Sequence, residues 1–233
     1  MNIAIIPARG GSKRIPHKNI KIFHGKPMIA WSIQAALESG CFDQVIVSTD
    51  DPEITAIAQA YGALTPFVRP AELADDYATT ADVMAHAVEW LTEYGIQAKH
   101  ICCLYATAPF VQSNDLIQGL LRLEESGANY AFSAASFSFP IQRAITLMPD
   151  ARVKMLFPEH MNTRSQDLVE AYHDAGQFYW GTAYAWQAKL PIFSAQSCAL
   201  VLPRHRVQDI DTPEDWIMAE HLFDTLQRLQ ALS

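Results

Sequence analysis

The sequence contains neither Gly-x-x-x-x-Gly-Lys-Ser/Thr nor Gly-x-Gly-x-x-Gly, which argues against a P-loop ATPase or GTPase and against a dinucleotide dehydrogenase. No apolar run approaches the ~20 residues that span a bilayer. The short run Ile3-Ala4-Ile5-Ile6 leads to Arg9 rather than to a small-residue cleavage site, so a cytoplasmic protein with no membrane contact is expected. Cysteine is scarce, and Cys41, Cys102, Cys103 and Cys198 show no Cys-x-x-Cys spacing and no histidine at zinc-site intervals. They read as reduced core residues. Repeats and low-complexity tracts are also missing, and 233 residues, half of them hydrophobic, suit one domain.

One further absence is local. The first 37 residues hold no Asp or Glu, yet carry Arg9, Lys13, Arg14, Lys18, Lys21 and Lys26, six of the 17 cations in a chain of net charge -8. A basic segment in an acidic protein selects a compact polyanion such as a nucleoside triphosphate. A nucleic acid would need cations spread along a face and would be opposed by the net charge. The segment Pro7-Ala8-Arg9-Gly10-Gly11-Ser12-Lys13-Arg14-Ile15-Pro16-His17-Lys18-Asn19 follows directly on the apolar run. Gly10 and Gly11 would admit positive φ and close approach of backbone N–H groups to phosphate oxygens, with Arg9, Lys13 and Lys18 supplying charge.

Beyond this loop, Pro27–Leu37 has helical spacing and Gly40 ends it. Val45–Asp50 is a short buried strand with a polar end. Asp50 there is either a ligand contact or the cap of the helix opening at Pro52. An irregular stretch from Gly62 to Thr80 contains Arg69, and Thr79 or Thr80 caps a helix to about Tyr94. Ile101–Tyr105 is a strand, Ser113 or Asn114 starts a helix closed by Gly127, and Tyr130–Ala135 is another strand. This alternation predicts an α/β fold with a doubly wound, mostly parallel sheet. Its strand ends would place the basic loop beside Ser48, Asp50, Tyr105 and Thr107. From Phe137 to Trp186 helical periodicity is lost and aromatics gather. A small mixed β/α insert is expected there, mostly core but partly a dimer face.

Ala199–Leu202 is a further strand, and Val207–Asp211 reads as a short one before a helix running from Pro213 to about Ala231. Period two would put the Asp209 and Asp211 carboxylates on one face, with Cα atoms about 7 Å apart. Such a pair can hold Mg²⁺ against substrate phosphates. For an isolated Asp-x-Asp the plainer reading is that Asp211 belongs to the helix start and Asp209 is merely exposed.

A phosphate loop combined with a metal-type carboxylate pair, and no standard nucleotide fingerprint, leaves a nucleotidyltransferase. Ile6–Asn19 closely resembles the opening motif of the acylneuraminate cytidylyltransferases, which make CMP-activated nonulosonic acids from CTP. Val47-Ser48-Thr49-Asp50, Arg69–Ala74, Thr107-Ala108-Pro109, Gln166-Asp167-Leu168 and Asp209–Asp215 are similar to that family's later motifs in the same order. The resemblance implies the nucleotide-diphospho-sugar transferase-like fold, a homodimer and attack of the sugar's anomeric hydroxyl on the α-phosphorus with release of pyrophosphate. It implies that Ala8, Arg9, Gly10, Gly11, Ser12, Lys13, Lys18 and Asn19 bind CTP. Arg69, Thr79 and Thr80 would lie along the cytidine, Asp209 and Asp211 would hold Mg²⁺, and Arg9, Lys13 and Asp211 would carry the catalysis.

On the acceptor side the chain departs from the sialic acid members. Tyr105-Ala106-Thr107-Ala108-Pro109-Phe110-Val111 stands where they read Gln-Pro-Thr-Ser-Pro-Leu-Arg, and His173-Asp174-Ala175-Gly176 where they read Arg-Pro-Asn-Gly. Ser165-Gln166-Asp167 replaces Arg-Gln-Asp, with Arg164 one position earlier. The pattern is more similar to the pseudaminic acid branch, and the acceptor is expected to be a nine-carbon 2-keto sugar acid. Tyr105, Ala106, Thr107, Gln166, Asp167, His173, Asp174 and Tyr179 would line it, with Arg143 or Arg164 meeting its carboxylate. N-acetylneuraminic acid is the alternative acceptor. The octulosonic acid enzymes share the chemistry but carry Leu-Gly-Ser-Thr-Arg-Leu-Pro in the loop. A relative that binds CTP without turnover would not need the carboxylate pair.

Overall fold

The computed structural model describes residues 1–231. β1 (Asn2–Pro7) empties into the basic loop, which ends in a small hairpin, β2 (Ile22–Phe23) and β3 (Lys26–Pro27), before α1 (Met28–Ser39). There follow β4 (Gln44–Ser48), α2 (Pro52–Ala60), α3 (Thr80–Glu93), β5 (His100–Leu104), α4 (Ser113–Ser126) and β6 (Tyr130–Ser136). β7 (Ile145–Leu147) and β8 (Val153–Met155) form a separate hairpin. β9 (Tyr172–Thr182), α5 (Ala183–Gln187), β10 (Ser197–Val201) and α6 (Pro213–Ala231) complete the chain. None of the helices described is long and apolar enough to cross a membrane.

Six strands form the main sheet in the order β10-β6-β9-β5-β1-β4, parallel throughout except for β9, which pairs antiparallel with both β5 and β6. Alternation along each strand divides the core in two. Ala4, Ile6, Val45, Val47, Cys102 and Leu104 face the side covered by α1, α2 and α4. Ile3, Ile5, Ile46, Ile101 and Cys103 face the side covered by α3 and α5. The mostly parallel α/β sheet expected from the sequence is therefore present.

Two local expectations change. Gly40 and Gly127 close α1 and α4 in the left-handed conformation, as their positions suggest, but the cap of α2 is Asp51 and not Asp50. Asp51 Oδ1 accepts from the backbone N–H groups of Glu53 and Ile54. The stretch 137–186 divides: residues 137–171, with the β7–β8 hairpin, form an arm beside the sheet, while Tyr172–Trp186 folds into the main body. Phe178, Trp180 and Trp186 are fully buried there, with Trp180 Nε1 donating to Leu116 O and Trp186 Nε1 to Ile101 O.

A third, smaller apolar cluster lies under α6. Ile15, Phe23, Met28, Phe110, Ile210, Trp216, Ala219 and Phe223 pack together, joining the basic loop, the β2–β3 hairpin and the C-terminal helix. Burying a side chain such as Ile210 stabilises by about 1.5–3 kcal/mol. This cluster fixes where the residues on either side of Ile210 must lie.

Candidate active site

The carboxyl ends of β1, β4 and β5 open on one edge of the sheet, and a cleft of about 520 Å³ lies there. Arg9, Ser12, Lys13, Arg14, Lys18, Asn19, Arg69, Thr80, Tyr105, Ala106, Thr107 and Asp211 line it. Eleven candidates named from the sequence thus meet in one cavity, together with Arg14, Pro7, Leu73, Asp75, Asp76, Ala78 and Val83, which were not among them.

The loop that forms the floor is held by its own backbone and by Asn19, whose side-chain amide donates to Arg9 O at 2.9 Å. Ala8 is buried, its N–H donating to Ser48 O, so it supports the loop from behind. Neither Gly10 nor Gly11 has a positive φ, contrary to the expectation from the glycine pair. Gly10 is required by crowding instead: a Cβ there would overlap the Asp51 carboxylate and lie 3.0 Å from its Cβ. The Gly10 N–H donates to Asp50 Oδ1 at 3.2 Å, so Asp50 braces the loop and does not cap α2. Gly11 has open space around it.

Arg69 reaches the cleft because residues 64–69 extend the sheet edge beyond β4, through bridges Ile46–Leu64 and Thr49–Val68 and the bond from Arg69 N–H to Thr49 O. Its guanidinium is buried, donating to Ser48 O and Leu73 O, with Nε unbonded. Burial lowers its pKa to about 10, partly offset by Asp50 and deepened by Arg9, so it stays charged at neutral pH. Thr79 caps α3 in a reciprocal box with Asp82 and turns away from the cavity lining, while Thr80 Oγ1 lies 3.2 Å from Tyr105 Oη. Lys189 and Thr79 hold the Asp82 carboxyl down to about 2. Burial above all pushes the Tyr105 hydroxyl up to about 12, leaving it a neutral hydrogen-bonding group.

Residues 207–211 are not a strand, which corrects the sequence reading. Their backbone is committed elsewhere: Ile210 is fully buried in the third cluster, and its carbonyl accepts from Lys18 Nζ at 2.5 Å. Asp211 follows at the cleft rim, 3.2 Å from Lys18 Nζ and 2.8 Å from Arg14 Nη2. Asp209 lies outside the cavity lining, yet close enough for Asp211 to matter. Its carboxyl is raised above the usual range, first by desolvation and then by the Asp211 charge. As hard oxygen donors the two carboxylates are of the type that takes a divalent ion such as Mg²⁺, and Asp211 is already paired with Arg14 and Lys18. Among the described residues no group of three or more His, Cys, Asp or Glu could hold a metal.

The acceptor-side candidates do not all converge. Tyr105, Ala106 and Thr107 line the cleft. Tyr179 packs its ring 5.3 Å from that of Tyr105 and donates its hydroxyl to Asp174 at 2.5 Å, and Asp174 also accepts from Gly176 N–H. His173 Nδ1 lies 2.8 Å from Asp174 O. Arg143 stays in the arm, where its guanidinium donates to the carbonyls of His160, Met161 and Thr163. Arg164 pairs with Asp167 at 2.8 Å on the 3-10 turn Ser165–Asp167, which also carries Gln166. Neither arginine lies in the cleft lining.

Two acidic residues were not anticipated. Asp75 and Asp76 close the cleft from the segment between Leu73 and α3, and both touch the basic loop. The signal available for them was an acid pair within a long irregular stretch following Arg69.

A mostly parallel sheet whose strand ends open on a cation-lined cleft, rimmed by a carboxylate from near the C-terminal helix, suits a nucleotidyltransferase, and the comparisons with known proteins give that class. A family model described as Cytidylyltransferase matches residues 3–211. Pseudaminic acid cytidylyltransferase of Campylobacter jejuni subsp. jejuni serotype O:23/36 (strain 81-176) is 48% identical over 222 residues, covering 95% of this chain and 96% of that protein. CMP-N,N'-diacetyllegionaminic acid synthase of Legionella pneumophila is 32% identical over 236 residues, covering 97% of each. A solved structure of CMP:2-keto-3-deoxy-manno-octonic acid synthetase complexed with CTP has the same fold, with a TM-score of 0.69 at 19% identity over 96% of this chain and 98% of that one. The chain belongs to the cytidylyltransferase family.

Proposed function

We propose that the enzyme transfers the cytidylyl group of CTP to pseudaminic acid, releasing pyrophosphate and using Mg²⁺. The observation that carries the acceptor is the 48% identity, over almost the whole of both chains, to a protein named for that reaction. Tyr105 and Ala106 in the cleft are consistent with it, since they stand where the sialic acid enzymes place a glutamine and a proline.

In this reading Arg9, Lys13 and Lys18 bind the triphosphate and offset the charge that builds on the leaving pyrophosphate as the sugar hydroxyl attacks in line. Ser12 and the loop N–H groups complete the cradle, with Asn19 keeping its backbone in place. Arg69 and Thr80 position the cytidine, with Thr79 fixing the start of the helix that carries Thr80. Asp209 and Asp211 would hold Mg²⁺, which supplies further positive charge at the phosphates. The sugar would sit toward Tyr105, Thr107, Tyr179 and Asp174.

Incubation with Mg²⁺, CTP and, separately, pseudaminic acid, N-acetylneuraminic acid and 3-deoxy-manno-octulosonic acid should release pyrophosphate with the first alone at a high rate. Release with N-acetylneuraminic acid at an equal rate would refute the acceptor assignment, and no release with any sugar would refute the reaction.

We also propose a homodimer built on the arm. Phe139, Ile145, Leu147, Val153, Leu156, Met161 and Val169 are exposed on residues 137–171, a run of apolar surface suited to a second copy. Sedimentation at micromolar concentration should give a species of twice the chain mass; a monomer would rule the dimer out.

A further inference from the structure

Two cations of the phosphate cradle already share an anion. Arg9 Nη1 lies 2.8 Å from Asp76 Oδ1, and Lys13 Nζ bonds the other oxygen, Asp76 Oδ2. One carboxylate thus spans the two side chains expected to grip the triphosphate, as two phosphoryl oxygens would. The Asp76 carboxyl is held below the usual carboxylate range by the bond from Lys13 and then by that from Arg9, so it is charged at neutral pH.

The neighbouring residue shows why Asp76 is free to do this. Asp75 Oδ1 accepts from the backbone N–H groups of Tyr77 and Ala78, both at 2.8 Å, so its carboxylate is committed to shaping the turn. Its carbonyl accepts from Arg9 Nη1 at 2.6 Å. The turn is therefore set by Asp75, and the Asp76 side chain projects from it into the cradle without any bond to its own segment.

We propose that Asp76 is a built-in counter-anion of the phosphate cradle: it holds Arg9 and Lys13 in the cleft until a triphosphate displaces it, and it returns as pyrophosphate leaves. The inference rests on the cytidylyltransferase reading of this cleft. Its physical content is a competition for the same two cations. Both contacts are partly exposed, with Asp76 at 40% and Lys13 at 78% side-chain exposure, so each is weak enough to be broken by a polyanion. The same carboxylate also repels an incoming phosphate while it remains in place.

The sign of the effect separates this role from a merely structural one. If Asp76 competes, Asp76→Asn frees the cations and strengthens phosphate binding. If it only staples the segment 74–79, the same change loosens the cradle and weakens binding. Titration calorimetry at low salt with CTP, inorganic pyrophosphate and cytidine, on the full chain, reads the difference. With two exposed ion pairs removed, CTP and pyrophosphate are each expected to bind about threefold to tenfold more tightly to Asp76→Asn, the gain shrinking at high salt. Cytidine, which lacks phosphate, should be unaffected. Asp76→Ala should behave as Asp76→Asn does, because the charge and not the shape is the competitor. Unchanged or weaker binding of pyrophosphate to both variants, with the wild type binding normally, overturns the counter-anion role and leaves the cytidylyltransferase reading intact. Failure of the wild type to bind either CTP or pyrophosphate overturns both.

Discussion

Asp211→Ala is expected to lower kcat/KM by about 100-fold or more, in the range seen when one group aimed at developing charge is removed, with little change in unfolding temperature. The stability half of this expectation follows from exposure. The Asp211 side chain is 38% exposed and its ion pairs with Arg14 and Lys18 sit at the cleft rim, where such pairs contribute little to folding. Ile210 next to it supplies the local anchoring and is untouched by the change. The activity half follows from position. Asp211 brings a carboxylate from the C-terminal region to within 3.2 Å of Lys18, and so to the cations of the loop after β1. If it shares Mg²⁺ with Asp209 and the substrate phosphates, its loss should raise the Mg²⁺ concentration needed for half-maximal activity as well as lowering the maximum. Near-normal turnover by the variant at limiting Mg²⁺ would remove Asp211 from the reaction. A large loss with unaltered Mg²⁺ dependence would reassign it to orienting Lys18 and Arg14.

Lys13→Met should lower kcat by about 100-fold, with a smaller effect on the KM for CTP. Methionine keeps the length of the apolar stem and removes the charge. In the free protein Lys13 is among the more exposed residues of the loop and pairs with Asp76, so no core contact is lost. A cation that contacts phosphate equally in the bound and transition states would appear in KM alone. One that meets charge accumulating on the leaving pyrophosphate appears in kcat. Steady-state kinetics at varied CTP separate the two, and an unchanged kcat with a raised KM would reduce Lys13 to a binding contact. Because the methionine also releases one oxygen of Asp76, the variant should be compared with Lys13→Met/Asp76→Asn. If the kcat loss comes from the missing charge, the second substitution should not restore it.

Much of this architecture was legible in the chain. Apolar runs such as Ile3–Ile6 and Ile101–Leu104 mark strands buried on both faces. The glycines at 40 and 127 mark helix ends, and Pro213 behind Thr212 marks the start of the last helix. The acid-free first 37 residues mark the cations that line the cleft. These signals are local: period, turn chemistry and charge act between residues a few positions apart, and a reader of the chain can apply them directly.

What was misread or missed depended on partners distant in sequence. Val207–Asp211 alternates like a strand, but burial of Ile210 against Ile15, Phe23 and Trp216 holds it as an irregular segment. The aromatic residues of Tyr172–Trp186 resemble those of the exposed arm in composition. Only the antiparallel insertion of β9 between β5 and β6 puts Trp180 and Trp186 in the core. Gly10 needs to be glycine because Asp51, on the neighbouring strand's exit, approaches it, not because of its own φ. Asp75 and Asp76 look like a solvated acid pair until the fold brings them across the mouth of the basic loop.

The sequence by itself determined that an α/β fold with a basic loop after its first strand would form, because strand period, helix stops and charge asymmetry are written in neighbouring residues. The tertiary structure decided which carboxylates meet that loop. Asp211 is delivered by the burial of Ile210 and Asp76 by the turn that Asp75 sets, and packing between segments far apart in the chain is what positions both.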